Sequence, residues 1–186
     1  MHIVITGATV DPETLVSVAD IKAHLRVTHA HEDALIALIR NASIAYVEDY
    51  CETKLGSYTA EAYMSRFRTS WFTMSPVTAI ASVKYQATAD DSVFTLLDSS
   101  LWYKDIRSSP SRIAFRDTPT LYDYALAPVQ INCTVGWAVV PSPLVSAIKL
   151  LAADLYENRQ EEIAGTITTR LKLGIEALMA PFRTLV

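Results

Sequence analysis

Glycine and cysteine are both scarce in this chain, and each scarcity excludes a class of site. The five glycines in 186 residues, Gly7, Gly56, Gly136, Gly165 and Gly174, lie too far apart to build a phosphate-cradling loop. The opening Ile3-Val4-Ile5-Thr6-Gly7 has the look of a dinucleotide-binding strand and turn, but Val10-Asp11-Pro12 follows where two further glycines are required. Cys51 and Cys133 are too few for a disulfide framework and too far apart for a metal knuckle, and read as buried thiols of a reducing compartment. Charge is thin as well, at 19% of residues, against about 25% in an average soluble protein. The 16 Lys and Arg face 20 Asp and Glu, so the net charge of -4 leaves no basic excess to grip phosphates over a large face. The first residues, Met1-His2-Ile3-Val4-Ile5-Thr6, carry neither a basic leader nor a long apolar segment. Tyr124 to Ile148 contains no Asp, Glu, Lys or Arg, yet Pro128, Pro141 and Pro143 interrupt it and Gln130, Asn132 and Thr134 alternate with apolar residues. That is strand chemistry, not a membrane span.

What the chain does have is apolar surface. It is 51% hydrophobic, which excludes disorder, and its mean hydropathy is +0.21. The length fits one domain with an insertion better than two independent domains. A small domain buries only about 70% of its unfolded surface, so the apolar surplus reads as subunit interface.

Charge and periodicity divide the chain at similar places. Residues 1–57 hold eight acids and four bases, residues 58–136 seven of each, and residues 137–186 five of each. In the first segment Ser17 and Asp20 cap a short helix to about Val27, and Thr28 or His29 begins a longer one to about Thr53. At about 100° per residue, Leu35, Leu38, Ile39, Ala42, Tyr46 and Tyr50 form one stripe, and Ile36, Ile44, Val47 and Cys51 a second beside it. One stripe joins the chain's own core, so the second is expected to meet a further layer, either the middle segment or another subunit. From Tyr58 to Val135 the period becomes two: Val129, Ile131, Cys133 and Val135 alternate with polar residues, as do Ala81, Val83, Tyr85 and Ala87. Shorter strands are expected at Tyr58 to Met64, Val93 to Leu97, Leu101 to Lys104 and Arg112 to Arg116. Helix returns after Pro141-Ser142-Pro143, with Leu144, Ile148, Leu151 and Leu155 as its stripe. After a loop from Asn158 to Gly165, a last helix carries Leu171, Ile175 and Leu178 and ends at Pro181.

Catalytic patterns are weak. His24, His29, His31, Glu32 and Asp33 form the one metal-like cluster, but capping and surface histidines at a helix start explain it equally well. Glu48, Asp49 and Glu52, and Glu157, Glu161 and Glu162, have no partners fixed by spacing and read as solvated acidic edges. Both cysteines sit in apolar stripes, and there is no G-x-S-x-G elbow. No catalytic, cofactor or metal site is therefore expected. In the middle segment Arg66, Arg68, Lys104, Arg107, Arg112 and Arg116 are interleaved with Trp71, Phe72, Trp102 and Tyr103, the ingredients of a single-strand-binding surface, diluted by equal numbers of acids.

The stretch Leu15-Val16-Ser17-Val18-Ala19-Asp20-Ile21-Lys22-Ala23-His24-Leu25-Arg26-Val27, then His31-Glu32-Asp33-Ala34-Leu35-Ile36 and Ala45-Tyr46-Val47-Glu48, resembles the N-terminal helices of the head-to-tail connector (adaptor) proteins of tailed phages. Pro143 to Tyr156 resembles that family's third helix, and Gly174-Ile175-Glu176-Ala177-Leu178-Met179-Ala180-Pro181-Phe182-Arg183 its closing motif, with Met179 and Phe182 replacing the commoner Leu and Tyr. The resemblance covers about half of the chain. It implies a non-enzymatic head-completion ring beneath the capsid portal, extending the DNA channel and docking the stopper or tail.

The expectation is then an α+β subunit. A four-helix bundle forms from residues 1–57 and 137–186, and an antiparallel β insertion occupies residues 58–136. Ile36, Ile44, Val47 and Leu150 are the expected subunit interface. Arg170, Lys172, Phe182 and Arg183 are the expected portal contact, because the resemblance implies that the C-terminal segment reaches the portal. The expected partners are further copies of the chain, the portal protein, a stopper or tail completion protein, and DNA passing without sequence recognition, in a virion assembled in the bacterial cytoplasm and not in a membrane. A second reading is a DNA-packaging or nucleic-acid-associated protein that uses the basic aromatic β surface.

Overall fold

The computed structural model describes residues 1–7, 10–74, 76–88, 93–158 and 174–184. It divides into two compact units: Met1–Thr9, Ser57–Trp137 and Thr184–Val186 in one, Val10–Gly56 and Ala138–Arg183 in the other.

The second unit is helical, and its helices start where short polar side chains replace missing backbone partners. Helix α1 (Pro12–Leu15) is one turn, opened by Asp11, whose carboxylate accepts from the Glu13 N–H at 2.9 Å. Helix α2 (Val18–Leu25) is capped by Ser17, whose Oγ accepts from the Asp20 N–H at 3.0 Å and donates to Asp20 Oδ2 at 2.7 Å. Helix α3 (Asp33–Cys51) runs 19 residues and stops at Glu52, a left-handed residue at φ 51° whose N–H turns back to the Asp49 carbonyl. Helix α4 (Ser142–Glu157) begins behind Pro141. Residues 174–179 are helical and pass into a 3₁₀ turn, Ala180–Phe182, at Pro181. Helices α2, α3 and α4 pack on one another. Ile21, Ile36, Val47, Leu144, Ile148 and Met179 are fully buried in this unit.

The expected four-helix bundle does not form. The described helices differ too much in length for one: α1 has four residues, α2 eight, α3 nineteen and α4 sixteen. The N-terminal residues also leave the helical unit altogether, because His2–Ile5 is strand β1 of a sheet. A helical stripe reports that a helix buries one face. It carries no information on how many helices of matching length stand alongside. The architecture is α+β with two antiparallel sheets. Most of the expected last helix, and the loop before it, lie outside the described residues.

The other unit is built on strand β8 (Val129–Val135), where every second residue is buried. It pairs with β2 (Tyr58–Met64) on one side and β4 (Val77–Tyr85) on the other, giving a five-stranded sheet β1-β2-β8-β4-β5 with β5 at Thr95–Leu96. Gly7 follows edge strand β1 and its N–H bonds to the Thr59 carbonyl at 3.1 Å. A Cβ there would stand 2.9 Å from Thr59 Oγ1, so close backbone approach explains this glycine. A smaller sheet orders β3 (Ser70–Trp71), β7 (Arg112–Phe115) and β6 (Trp102–Asp105). Phe72 and Ile113, in and beside this small sheet, share one core with Val83, Val129 and Ile131 of the larger one.

Candidate subunit and docking interfaces

Three of the four expected interface residues lie on α3, in a stripe that is buried within the single chain. Ile36, Ile44 and Val47 are packed into the chain's own helical unit, and with them lie two charged side chains, Arg40 and Glu48. Each is satisfied locally. The Arg40 guanidinium pairs with Glu13 of α1 and reaches Asn41 Oδ1 at 3.1 Å. Glu48 pairs with Lys54 and accepts from the Leu55 N–H. Leu150, on α4, is half-buried.

The other stripe is exposed at Leu38, Ala42 and Tyr46 and half-buried at Leu35, Ile39 and Tyr50. Leu38 is 66% exposed and Tyr46 39%. With exposed Ala42, Ala45 and Asp49 they follow the i, i+4, i+7, i+8, i+11 spacing of one helix face. The Tyr46 ring stacks on Tyr50 at 6.4 Å, and the Arg183 guanidinium lies 5.4 Å over the other ring of that pair, Tyr50. So Arg183, one of the expected portal residues, is exposed beside the C-terminal half of α3, and Phe182 is half-buried. Arg170 and Lys172 lie outside the described residues. Sequence periodicity picks out both stripes of α3 and does not say which of them joins the chain's own core. The polar residues Arg40 and Ser43 in the competing stripe concealed the true core, because their partners on α1 and on α3 itself do not show in helical spacing.

The small sheet gathers the basic aromatic residues. Trp71 and Tyr103 are exposed, the guanidinium of Arg112 lies 5.4 Å from the Trp71 ring, and that of Arg116 lies 5.5 Å from Tyr103. Lys104 stands 5.8 Å from the Trp102 ring and donates to the Ile80 carbonyl. A shallow depression of about 350 Å³ is lined by Thr69, Tyr103, Lys104, Asp105, Arg112 and Ala114.

The histidine cluster resolves into ordinary contacts. His29 lies 3.9 Å from Glu32, which also accepts from the Tyr156 hydroxyl, and Asp33 pairs with Lys22 at 2.5 Å. Among the described residues no three His, Cys, Asp or Glu side chains are placed to hold a metal ion, and no helix is long and apolar enough to cross a membrane. Burial pushes the Cys51 and Cys133 thiols up to about 11, with Arg183 opposing the shift slightly at Cys51.

Residues 16–90, spanning α2, α3 and β2 to β4, match the family described as phage gp6-like head-tail connector protein. Over these residues the chain is similar to structural head-tail connectors of the phage kind. The particular likeness is to gene transfer agent (GTA) particles. A chain in the neck of an empty GTA particle, computed with C6 symmetry, superposes with a TM-score of 0.75 at 25% identity, covering 100% of this chain and 97% of that one. A chain of the native GTA virion gives 0.75 at 24% identity, covering 100% and 97%. A chain of the native GTA neck with C12 symmetry gives 0.72 at 24%, covering 98% and 96%. No individual curated protein matches the chain.

Proposed function

We propose that this chain is the head-to-tail adaptor subunit of a phage, prophage or gene transfer particle, non-catalytic and assembled as a ring of identical copies in the virion neck. The observation that carries the reading is the outward apolar face of α3 on a chain whose fold matches that of a neck protein in a rotationally symmetric particle. A closed ring needs two different, mutually complementary faces on each subunit, and the exposed strip of Leu38, Ala42, Ala45 and Tyr46 is surface that a lone copy leaves wet. In this reading the C-terminal segment, from Arg170 and Lys172 to Phe182 and Arg183, contacts the portal. A stopper or tail completion protein docks on the opposite side of the ring, and DNA passes through without sequence recognition. The net charge of -4 favours such passage, because like charge keeps phosphate from sticking to the channel wall. Assembly takes place in the bacterial cytoplasm.

The test is deletion and complementation in a particle-producing host. Without the chain, DNA-filled heads accumulate unjoined to tails, and restoring it restores joined particles. Normal joined particles in the deletion strain would refute the adaptor role.

A further inference from the structure

We infer that in the ring the small sheet of one copy docks on the outward face of α3 of the next, its basic aromatic side against that helix's acidic end. The inference rests on the ring reading and specifies its two contact surfaces. A heterologous ring contact requires two different complementary surfaces on each subunit, and this chain carries such a pair on separate elements.

The first surface is cationic in an acidic protein. At its exposed rings and the depression beside them stand Lys104, Arg112 and Arg116 against Asp105 and Asp117. Its exposed rings, Trp71 (44%) and Tyr103 (51%), each carry a guanidinium across the ring at 5.4 and 5.5 Å. Stacking holds those two long side chains flat, so less rotamer freedom is lost when a partner covers them. Aromatic residues and arginine are what the buried centre of a protein interface is enriched in.

The second surface has the opposite character. Residues 1–57 contain eight acids and four bases. Four of the eight acids are already paired with a Lys or Arg: Glu13 with Arg40, Asp20 with Lys149, Asp33 with Lys22 and Glu48 with Lys54. Asp49 and Glu52, at the end of α3, are exposed and join no ion pair among the described residues. They continue the strip of Leu38, Ala42, Ala45 and Tyr46, whose two alanines make it flat enough for a ring-bearing sheet to lie on. Apolar contact supplies the area, and the pairing of Arg112 and Arg116 with Asp49 and Glu52 fixes the register.

A nucleic acid strand fits the small sheet less well. Arg112 and Arg116 each have a carboxylate nearby, Asp105 at 3.7 Å and Asp117 at 3.9 Å, so a polyanion held by charge alone finds little net positive charge here. A protein surface with two carboxylates and an apolar strip engages the rings as well as the cations.

The experiment is charge reversal with rescue, in the same particle-producing host. Arg112→Glu with Arg116→Glu, and separately Asp49→Lys with Glu52→Lys, are each expected to weaken every subunit contact about tenfold, roughly 1.4 kcal/mol apiece, and so to reduce joined particles at least tenfold. All four changes together are expected to restore them, and circular dichroism of each purified chain checks that it folds. Pair variants that assemble like wild type, or a fourfold variant that rescues nothing, overturn the pairing while leaving the adaptor role standing. Salt-dependent binding of the purified chain to DNA that is lost in the arginine variant assigns the sheet to nucleic acid instead, and also overturns it. A wild-type chain that joins no particles refutes the adaptor role itself, and the pairing with it.

Discussion

Glu48 Oε1 accepts a hydrogen bond from the Leu55 N–H at 2.9 Å, and the other carboxylate oxygen meets the Lys54 ammonium. A carboxylate in the last turn of a helix opposes the helix dipole, and this one is buried as well. It is tolerated because both oxygens are engaged, and together they fold the chain back sharply after α3. Glu48→Ala leaves the Leu55 N–H buried without an acceptor and is expected to cost about 2 kcal/mol. That corresponds to a fall of roughly 4–8 °C in Tm for a chain of this size. Glu48→Gln, which keeps an acceptor for Leu55, should fall less. Equal thermal melts for Glu48→Ala and wild type would remove this role.

Two substitutions on α3 separate its two faces. Ile44 is buried among the helices, so Ile44→Asp places an unpaired carboxylate in a close-packed interior and is expected to unfold the helical unit, read as loss of the cooperative melt. Leu38→Asp changes a side chain that is mostly in solvent. Its melt should lie within about 0.5 kcal/mol of wild type, while joined particles decline if α3 forms the ring contact. A Leu38→Asp chain that melts far below wild type would place Leu38 in the core.

Much of the element order was legible in the residues themselves. Ser17 with Asp20 marks the start of α2 through side-chain chemistry that works within four residues, and the alternation of Val129 to Val135 marks a central strand through a period of two. Non-local facts were not legible. That β1 is an edge strand depends on pairing with residues almost sixty positions away, Ile3 opposite Ala62. The side of α3 that faces inward depends on Glu13 meeting Arg40 across 27 residues. Two apolar stripes on one helix look alike to periodicity, and a partner for the buried arginine decides between them. The three cation–ring stacks of the small sheet were present in composition, as basic residues among aromatics, but strand register determines which ring each cation covers.

Both cysteines should be inert in the folded chain. Cys51 Sγ donates to the Met179 carbonyl at 3.7 Å and Cys133 Sγ to the Ala60 carbonyl at 3.6 Å. Their thiols titrate near 11, so almost no thiolate exists at neutral pH. A chromogenic disulfide reagent at pH 8 is expected to find no reactive thiol in the native protein and two in guanidinium. Rapid reaction of either thiol under native conditions would mean that the surrounding helix or sheet opens readily.

The cap of α2 gives stability an acid limb. The Ser17 hydroxyl, then Lys149 at 3.1 Å, hold the Asp20 carboxyl below its ordinary value of 3.8. A carboxyl whose folded value lies below its unfolded one binds fewer protons when folded. Its contribution is therefore complete above the unfolded value and disappears as pH falls through the lower folded value. Asp20 is more than half exposed and its ion pair is screened by salt, so the contribution is small. Asp20→Asn should melt below wild type at pH 6, with the gap narrowing as the pH drops below 4. Ser17→Ala should cost about 1 kcal/mol near neutral pH, because the Asp20 N–H loses its acceptor. It should also flatten the acid limb, since the hydroxyl that most stabilises the Asp20 charge is gone. Melting curves of the three proteins between pH 3 and 7 read both effects. A gap between wild type and Asp20→Asn that stays constant with pH would show that the carboxylate's charge contributes nothing to the cap.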